Sequence, residues 1–229
     1  MAQATGNAKN ILVGASPLFI SNIDVTDSDY VLDAEAGSTA AGAFSTGTSY
    51  TSTLNAITSG DFYYRNVGYT NNGLQITYNP TYDSVTVDQL LDTAKLFKSA
   101  MEVMIATEMS EGTLENVIAV FGQTANTLTE SGTAGTTSHK KTLGLAAGAL
   151  GVAPTERQLI AVGQAPTTLG TAAERVYYAR RVLSVQQSQF SLARNAATTF
   201  PVTFRLLPSG ESAYAGSEYG KIIDRVLVA

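Results

Sequence analysis

The chain alternates apolar and polar residues over several stretches, a pattern that predicts β-strands. In 101–107 the odd-numbered residues are mainly apolar and their neighbours include Glu102, and 200–206 alternates in the same way. A period of two places neighbouring side chains on opposite faces of a strand, so each stretch is expected to bury one face. Further short runs rich in β-branched or aromatic residues lie at 11–20, 62–67, 73–79, 85–87, 158–162 and 222–228.

A hairpin is predicted near the start of this series. The runs at 62–67 and 73–79 are separated by Asn71, Asn72 and Gly73. An Asn-Gly pair between β-rich runs favours a tight turn, because both central positions need a positive φ. The pattern at 171–190 is less specific, and a strand and a helix fit it about equally well.

At 114–121 the period changes to that of an α-helix. The apolar residues at positions i, i+3, i+4 and i+7 are Leu114, Val117, Ile118 and Phe121. Ser110 is the expected N-cap and Gly122 the expected C-cap. A dozen helical residues span only about 18 Å, so the helix is expected to lie across one sheet face. The prediction is a mainly β (α+β) fold: a β-sandwich or flattened barrel flanked by one short helix.

Two polar stretches interrupt these elements, and no linker separates two cores, so a single domain over 1–229 with two long insertions is predicted. The insertion at 36–60 is rich in Ser, Thr, Gly and Ala and carries no charge, yet it contains Phe44, Tyr50 and Leu54. It is interpreted either as an arm that orders on a neighbouring subunit or as a disordered insertion. The second insertion, at 123–142, is rich in Thr and Gly.

Charge is scarce in this chain. Charged residues make up 14% of it and hydrophobic residues 44%, whereas roughly 25% charged residues are usual in a soluble domain. Such a surface resists self-association poorly, which fits a secreted adhesin-like module or, as favoured here, a subunit covered by copies of itself. The net charge of −5 argues against a protein that grips nucleic acid by its phosphates.

The residues supply little catalytic chemistry. There is no Cys, and the only histidine, His139, lies beside two lysines in a polar stretch, so no disulfide, thiolate metal site or catalytic base is predicted. The acids between Asp24 and Glu35 lack the Gly that a calcium loop needs at its sixth position. No catalytic, cofactor-binding or metal-binding residue and no enzyme activity is therefore expected. Without a leader or an 18-residue apolar run, a cytoplasmic chain without a membrane span is expected.

An ordered series of motifs resembles the tail tube (major tail) protein of bacteriophages with long, non-contractile tails. The matching segments are NVGYTNNGLQITY (66–78), DSVTVDQL (83–90), EGTLENVIAVFG (111–122), FPVTFRLLPSG (200–210) and YGKIIDRV (219–226). Each segment alone is common, but together with a compatible NILVGASPLFIS opening they cover somewhat over half of the chain in the expected order. The two insertions match no motif of that family.

The resemblance implies a structural subunit and a β-sandwich fold with one flanking helix. Family members assemble as hexameric rings that stack into a hollow tube around a tape-measure protein. Tail-tip or initiator proteins and a tail terminator protein are the other partners that the resemblance implies. It is built in the host cytoplasm, becomes part of the virion tail and lets DNA pass without specific binding. We expect assembly to need an initiator, because spontaneous polymerisation would waste subunits.

Acidic residues are candidates for the wall of such a channel. Six copies at −5 each give −30 per ring, a charge that repels DNA. Asp88, Glu102 and Glu108, on the polar sides of their predicted strands, are the candidate lumen-facing acids. An outer, solvent-facing position fits them about as well. Phe44, Tyr50 and Leu54 are the candidate contacts between subunits.

Two other classes of function remain open. One is a different self-assembling phage or phage-derived part, such as a tail terminator, a head decoration protein or a secretion-system tube. The other is an enzyme or a carbohydrate-binding β-sandwich, since paired carboxylates could serve glycoside hydrolysis. The chain contains no Trp, and its one histidine belongs to no motif, which gives little support to a sugar cleft.

Overall fold

The fold is mainly β, with one short helix. The computed structural model describes residues 10–12, 14, 16–21, 64–89, 92–124, 127–147, 150–151, 154–170, 173–186, 188–192, 194–195 and 197–226. The strands are β1 (Leu18–Ser21), β2 (Tyr64–Asn66), β3 (Thr70–Thr86), β4 (Thr93–Met109), β5 (Leu128–Ser131), β6 (Lys140–Leu143), β7 (Arg157–Gln164), β8 (Ala173–Ser184), β9 (Phe200–Leu206) and β10 (Gly220–Val226). The helix is α1 (Leu114–Phe121).

Eight strands form one antiparallel sheet that packs against itself as a sandwich. Its order is β2-β1-β7-β8-β9-β4-β3, and β10 pairs with β8. β8 therefore has two partners on one side: 173–179 pairs with β10, and 182–184 pairs with β9. We call β2, β1, β7, β8 and β10 the first half, and β9, β4 and β3 the second half.

The main core lies between the two halves. Leu18 and Leu159 of the first half pack in the same buried cluster as Val103, Ile105 and Phe204 of the second. In β4 the odd-numbered residues from 103 to 109 are buried and their neighbours are partly exposed. The alternation in the sequence therefore predicts the inner face of this strand correctly. The expected sandwich with one flanking helix is confirmed.

Helix α1 closes one edge of this core. Ala119 and Val120 belong to the main core, and Gly122 ends the helix with a left-handed backbone (φ 63°), as predicted. The N-cap differs from the prediction: Thr113, not Ser110, accepts a hydrogen bond from the Asn116 N–H. Ser110 instead donates its N–H to the Tyr69 carbonyl, which continues the strand pairing and delays the helix by one turn.

The predicted hairpin at 62–79 is wrong. β2 pairs with β1, and 70–86 is one continuous strand. Asn72 and Gly73 do adopt positive φ (60° and 66°), but they form a bulge within β3, where the register shifts between Asn71 and Gln75. Residues with a left-handed backbone occur in β-bulges as well as in turns. The positive φ of this pair was therefore predictable from the sequence, but its position inside a continuous strand was not.

Two further segments are resolved by the structure. The residues at 173–184 form a strand, which decides between the two alternatives for 171–190. The insertion at 123–142 contains the β5–β6 hairpin, which packs on α1 through Ile118, Leu128 and Leu143. It is therefore not a plain loop. The insertion at 36–60, with Phe44, Tyr50 and Leu54, and the acids at 24–35 lie outside the described residues.

Candidate assembly surface

The most prominent surface feature is the outer part of the β3–β4 hairpin, which we call the arm (81–89 and 92–100). Every described residue of the arm is exposed, whereas β4 becomes buried from 103 onward. Within the described residues, the arm's strands pair only with each other. The arm is thus a two-stranded ladder outside the packed sandwich.

One face of the arm continues the apolar face of the core. Tyr78 lies opposite Val103, and beyond a register shift Tyr82 lies opposite Lys98 and Ser84 opposite Leu96. Tyr78, Tyr82 and Leu96 are 63%, 58% and 64% exposed. Large apolar side chains in a row on one sheet face are typical of an interaction surface. This face carries large apolar side chains beside Ser84 and Lys98, and within the described residues they remain exposed beyond the packed core.

A groove lies at the base of the arm, where the two halves of the sheet diverge. β9 ends at Leu206, and beyond it β4 and β10 run on without pairing to each other. The groove has a volume of about 450 Å³. Its apolar lining comes from both halves and includes Ile76, Tyr78, Met101, Tyr177, Tyr219 and Ile222. The groove is therefore an open end of the sandwich, lined by tyrosine and aliphatic side chains.

Charged residues lie at the rim of this groove. Lys98 of β4 and Lys221 of β10 line it together with Glu218. The Glu218 carboxylate accepts a hydrogen bond of 2.8 Å from the Gly216 N–H, which is the main reason that the pKa of Glu218 lies below its ordinary value. The nearby charge of Lys98 lowers this pKa further. With two lysines and one glutamate, the rim has a net positive charge.

Glu102 and Glu108 lie on the opposite, outward face of β4, as their positions in the alternation predict. Arg205 lies 3.7 Å from the Glu102 carboxylate. Asn71 and Asn72 donate side-chain hydrogen bonds of 3.2 and 2.8 Å to Glu108. The neighbouring strands add Gln75, Thr77, Asn79 and Thr203 to this face. It is polar, and its two carboxylates are held in place by neighbours.

Asp88 is separated from these two acids. The prediction of a polar strand face is wrong for it, because β3 ends at Thr86 and Asp88 lies in the turn at the end of the arm. The arm's end is acidic: between residues 83 and 92 the charged residues are Asp83, Asp88 and Asp92. The structure therefore groups Glu102 with Glu108 and places Asp88 at a different surface.

His139 belongs to a small ionic cluster on the β5–β6 hairpin. Its Nε2 lies 2.7 Å from Glu130 Oε1, and Lys141 Nζ lies 2.8 Å from Glu115 of the helix. The hydrogen bond with His139 is the main cause that lowers the pKa of Glu130 from its ordinary value of 4.5. These contacts hold a hairpin against a helix. Within the described part of the chain, no group of three or more His, Cys, Asp or Glu side chains is placed to hold a metal ion.

Comparison with known proteins identifies no family. No protein-family model matches the chain, and no curated protein matches it significantly. In the described residues, no helix has the length and apolar character needed to cross a membrane.

Neither the arm nor the groove was predicted from the sequence. Part of the signal for the arm was present: between 73 and 86 the sequence is rich in Thr and Tyr, and its only Pro is Pro80. The groove brings together residues more than 140 positions apart, such as Ile76 and Ile222, and no local pattern predicts such a contact.

Proposed function

We propose that this protein is a structural subunit that assembles as stacked hexameric rings into the hollow tail tube of a bacteriophage. The subunit is a β-sandwich with one flanking helix, which is the fold that the family resemblance implies. The observation that carries the proposal is the arm, whose apolar face is exposed in the single chain. Because removing apolar surface from water stabilises an association, covering the exposed parts of Tyr78, Tyr82 and Leu96 by another subunit would favour assembly.

The low charge of the chain supports the same proposal. A contact that repeats head to tail without closing produces a filament, and a subunit covered by its neighbours needs few charges for solubility. Tape-measure, tail-tip and terminator proteins are the proposed partners, and the virion tail is the proposed location.

The polar face of β4 is the proposed wall of the lumen. Glu102 and Glu108 are the proposed lumen acids, and Asp88 is left out because it lies at the end of the arm. On this face Arg205 lies near the Glu102 carboxylate, and Asn71 and Asn72 hold the Glu108 carboxylate, so the surface is polar and its two carboxylates outnumber its one guanidinium. Such a wall gives DNA no cationic row to which its phosphates could bind.

Electron microscopy of the concentrated protein tests the proposal, with and without a tail-tip initiator complex. We expect hollow tubes of stacked six-fold rings, growing mainly from the initiator. A variant in which 82–97 is replaced by an Asn-Gly turn should keep its free energy of unfolding within about 1 kcal/mol, since the removed residues are outside the core, and should form no tubes.

Shortening the turn of the β5–β6 hairpin (133–138) serves as the matched control, because it removes exposed residues of a different hairpin. Isolated rings from the wild-type protein would favour a terminator or decoration protein. Persistent monomers at all concentrations, with the initiator present, would contradict the proposed function.

A further inference from the structure

We propose that the groove at the base of the arm is the receptor for the acidic end of the arm of a second copy of this chain. This inference rests on the proposed function, because it names the contact by which stacked subunits hold one another. The occupant is the segment with Asp83, Val85, Val87, Asp88 and Asp92. The acceptor is the groove between β4 and β10.

The charges of the two surfaces are complementary. The arm's end carries three aspartates between 83 and 92 and one lysine, Lys95, opposite Val85, a net charge of −2. The groove is lined by two lysines, Lys98 and Lys221, and by Glu218, a net charge of +1. The other charged residues of β10, Asp224 and Arg225, face Arg175 and Glu174 of β8. Charge complementarity of this kind selects the partner and its orientation.

The apolar parts also match. Val85 and Val87 are 42% and 38% exposed at the arm's end, and Ile222, which lines the groove, is 66% exposed. The groove's volume of about 450 Å³ accommodates several side chains of that size, and its tyrosines can surround them. Aromatic side chains concentrate binding energy where water is excluded.

The arm cannot reach the groove of its own chain. Tyr78 lies in the groove, and Val85 is seven residues further along the same strand. At about 3.3 Å per residue, a strand covers about 23 Å over that interval. The paired strands point the arm's end away from its own groove, so the occupant is another copy. Donor and acceptor are then different surfaces, and the contact repeats without closing.

Cross-linking tests the contact directly, because the chain has no native Cys. A chain with Val87→Cys and Ile222→Cys is assembled and then oxidised. A disulfide needs Cβ atoms about 3.8 Å apart, so we expect a ladder of covalently linked chains on a denaturing gel. The matched control combines Val87→Cys with Leu145→Cys, a residue 71% exposed elsewhere, and should give no ladder.

Charge exchange provides the second test. Lys98→Glu with Lys221→Glu, or Asp83→Lys with Asp88→Lys, should each raise the critical concentration for assembly by about tenfold or more. In the chain that carries all four changes, the critical concentration for assembly should return most of the way to the wild-type value. Lys140→Glu, at an exposed position of β6, makes the same kind of charge change away from both surfaces and should leave the critical concentration unchanged.

The outcomes separate the inference from the function. Tubes of the chain with Val87→Cys and Ile222→Cys that show no ladder, together with charge variants that assemble normally, would overturn this contact and leave the tube subunit intact. An intramolecular cross-link in monomers would also overturn it. A wild-type chain that never assembles, with or without an initiator, would overturn both proposals.

Discussion

Asn116 is the residue on which the junction between sheet and helix depends. It is fully buried, and its side-chain oxygen accepts a hydrogen bond from Arg65. Its amide nitrogen donates to the carbonyl oxygens of Val67 and Glu111 at 2.9 and 2.8 Å. One side chain thereby joins β2, the turn after it, the approach to α1 and the helix itself. The amide is suited to this position because it donates twice and accepts at the same time.

Asn116→Ala is predicted to lower the free energy of unfolding by about 2–4 kcal/mol. The change leaves the buried Arg65 without this acceptor and two carbonyl groups without a donor, and each such loss is costly in a buried site. Urea unfolding followed by circular dichroism measures the effect. Asn79→Ala, at an exposed position on β3, is the control and should change stability by less than about 0.5 kcal/mol. Equal stability of the two variants would contradict this role of Asn116.

The β5–β6 hairpin shows how ion pairs between side chains hold a single element at the surface. Leu128 and Leu143 pack it against the helix, while Glu130 bonds His139 and Lys141 bonds Glu115. Lys141 also lies 3.7 Å from Glu130, so the facing charges alternate in sign. Both neighbours of Glu130 favour its charged form, and this is why its pKa is lowered.

The docking of this hairpin is predicted to weaken in acid. A carboxyl group with a lowered pKa stabilises the folded state above its ordinary pKa of 4.5, and this contribution is lost as the pH falls through the lower, folded value. Hydrogen exchange of the β5 and β6 amides, corrected for intrinsic rates, should show more opening from pH 5 downward. In Glu130→Gln this pH dependence should be largely absent, and an unchanged pH profile in that variant would contradict the prediction.

Elements with a strong local period were predictable, and elements defined by their partners were not. Residues 114–121 and 200–206 form the predicted helix and strand, because one buried face dictates their pattern. Asn72 and Gly73 have the predicted positive φ, yet the strand continues through them. Whether a left-handed pair ends a strand or bulges it depends on β4, which lies some thirty residues away.

In the candidate assembly surface, too, the sequence predicted what depends on local alternation and missed what depends on pairing between distant strands. The alternation places Glu102 and Glu108 on one polar face, as the structure has them. The sequence could not show that the strand ends before Asp88, nor that Ile76 and Ile222 line one groove. Such facts follow from the sheet order, which local patterns do not encode.

At the scale of the whole molecule, the proposed lumen gives a prediction about access. Asn79→Cys places a thiol opposite Glu102 on the polar face of the second half, in a chain with no other Cys. We expect this thiol to react with a bulky polymer maleimide in free subunits but only with a small maleimide in assembled tubes. Rapid reaction with the bulky reagent in intact tubes would place this face on the outside.

The order of strands along the chain has a consequence for synthesis on the ribosome. The arm lies within 70–109, whereas the groove that we propose as its receptor is completed by β10, at 220–226. In a nascent chain, therefore, the arm is synthesised long before the groove is complete. Two neighbouring chains on one messenger RNA cannot form this contact until at least one of them has been made as far as β10. The position of β10 after the arm thus delays this contact until the acceptor strand has been made.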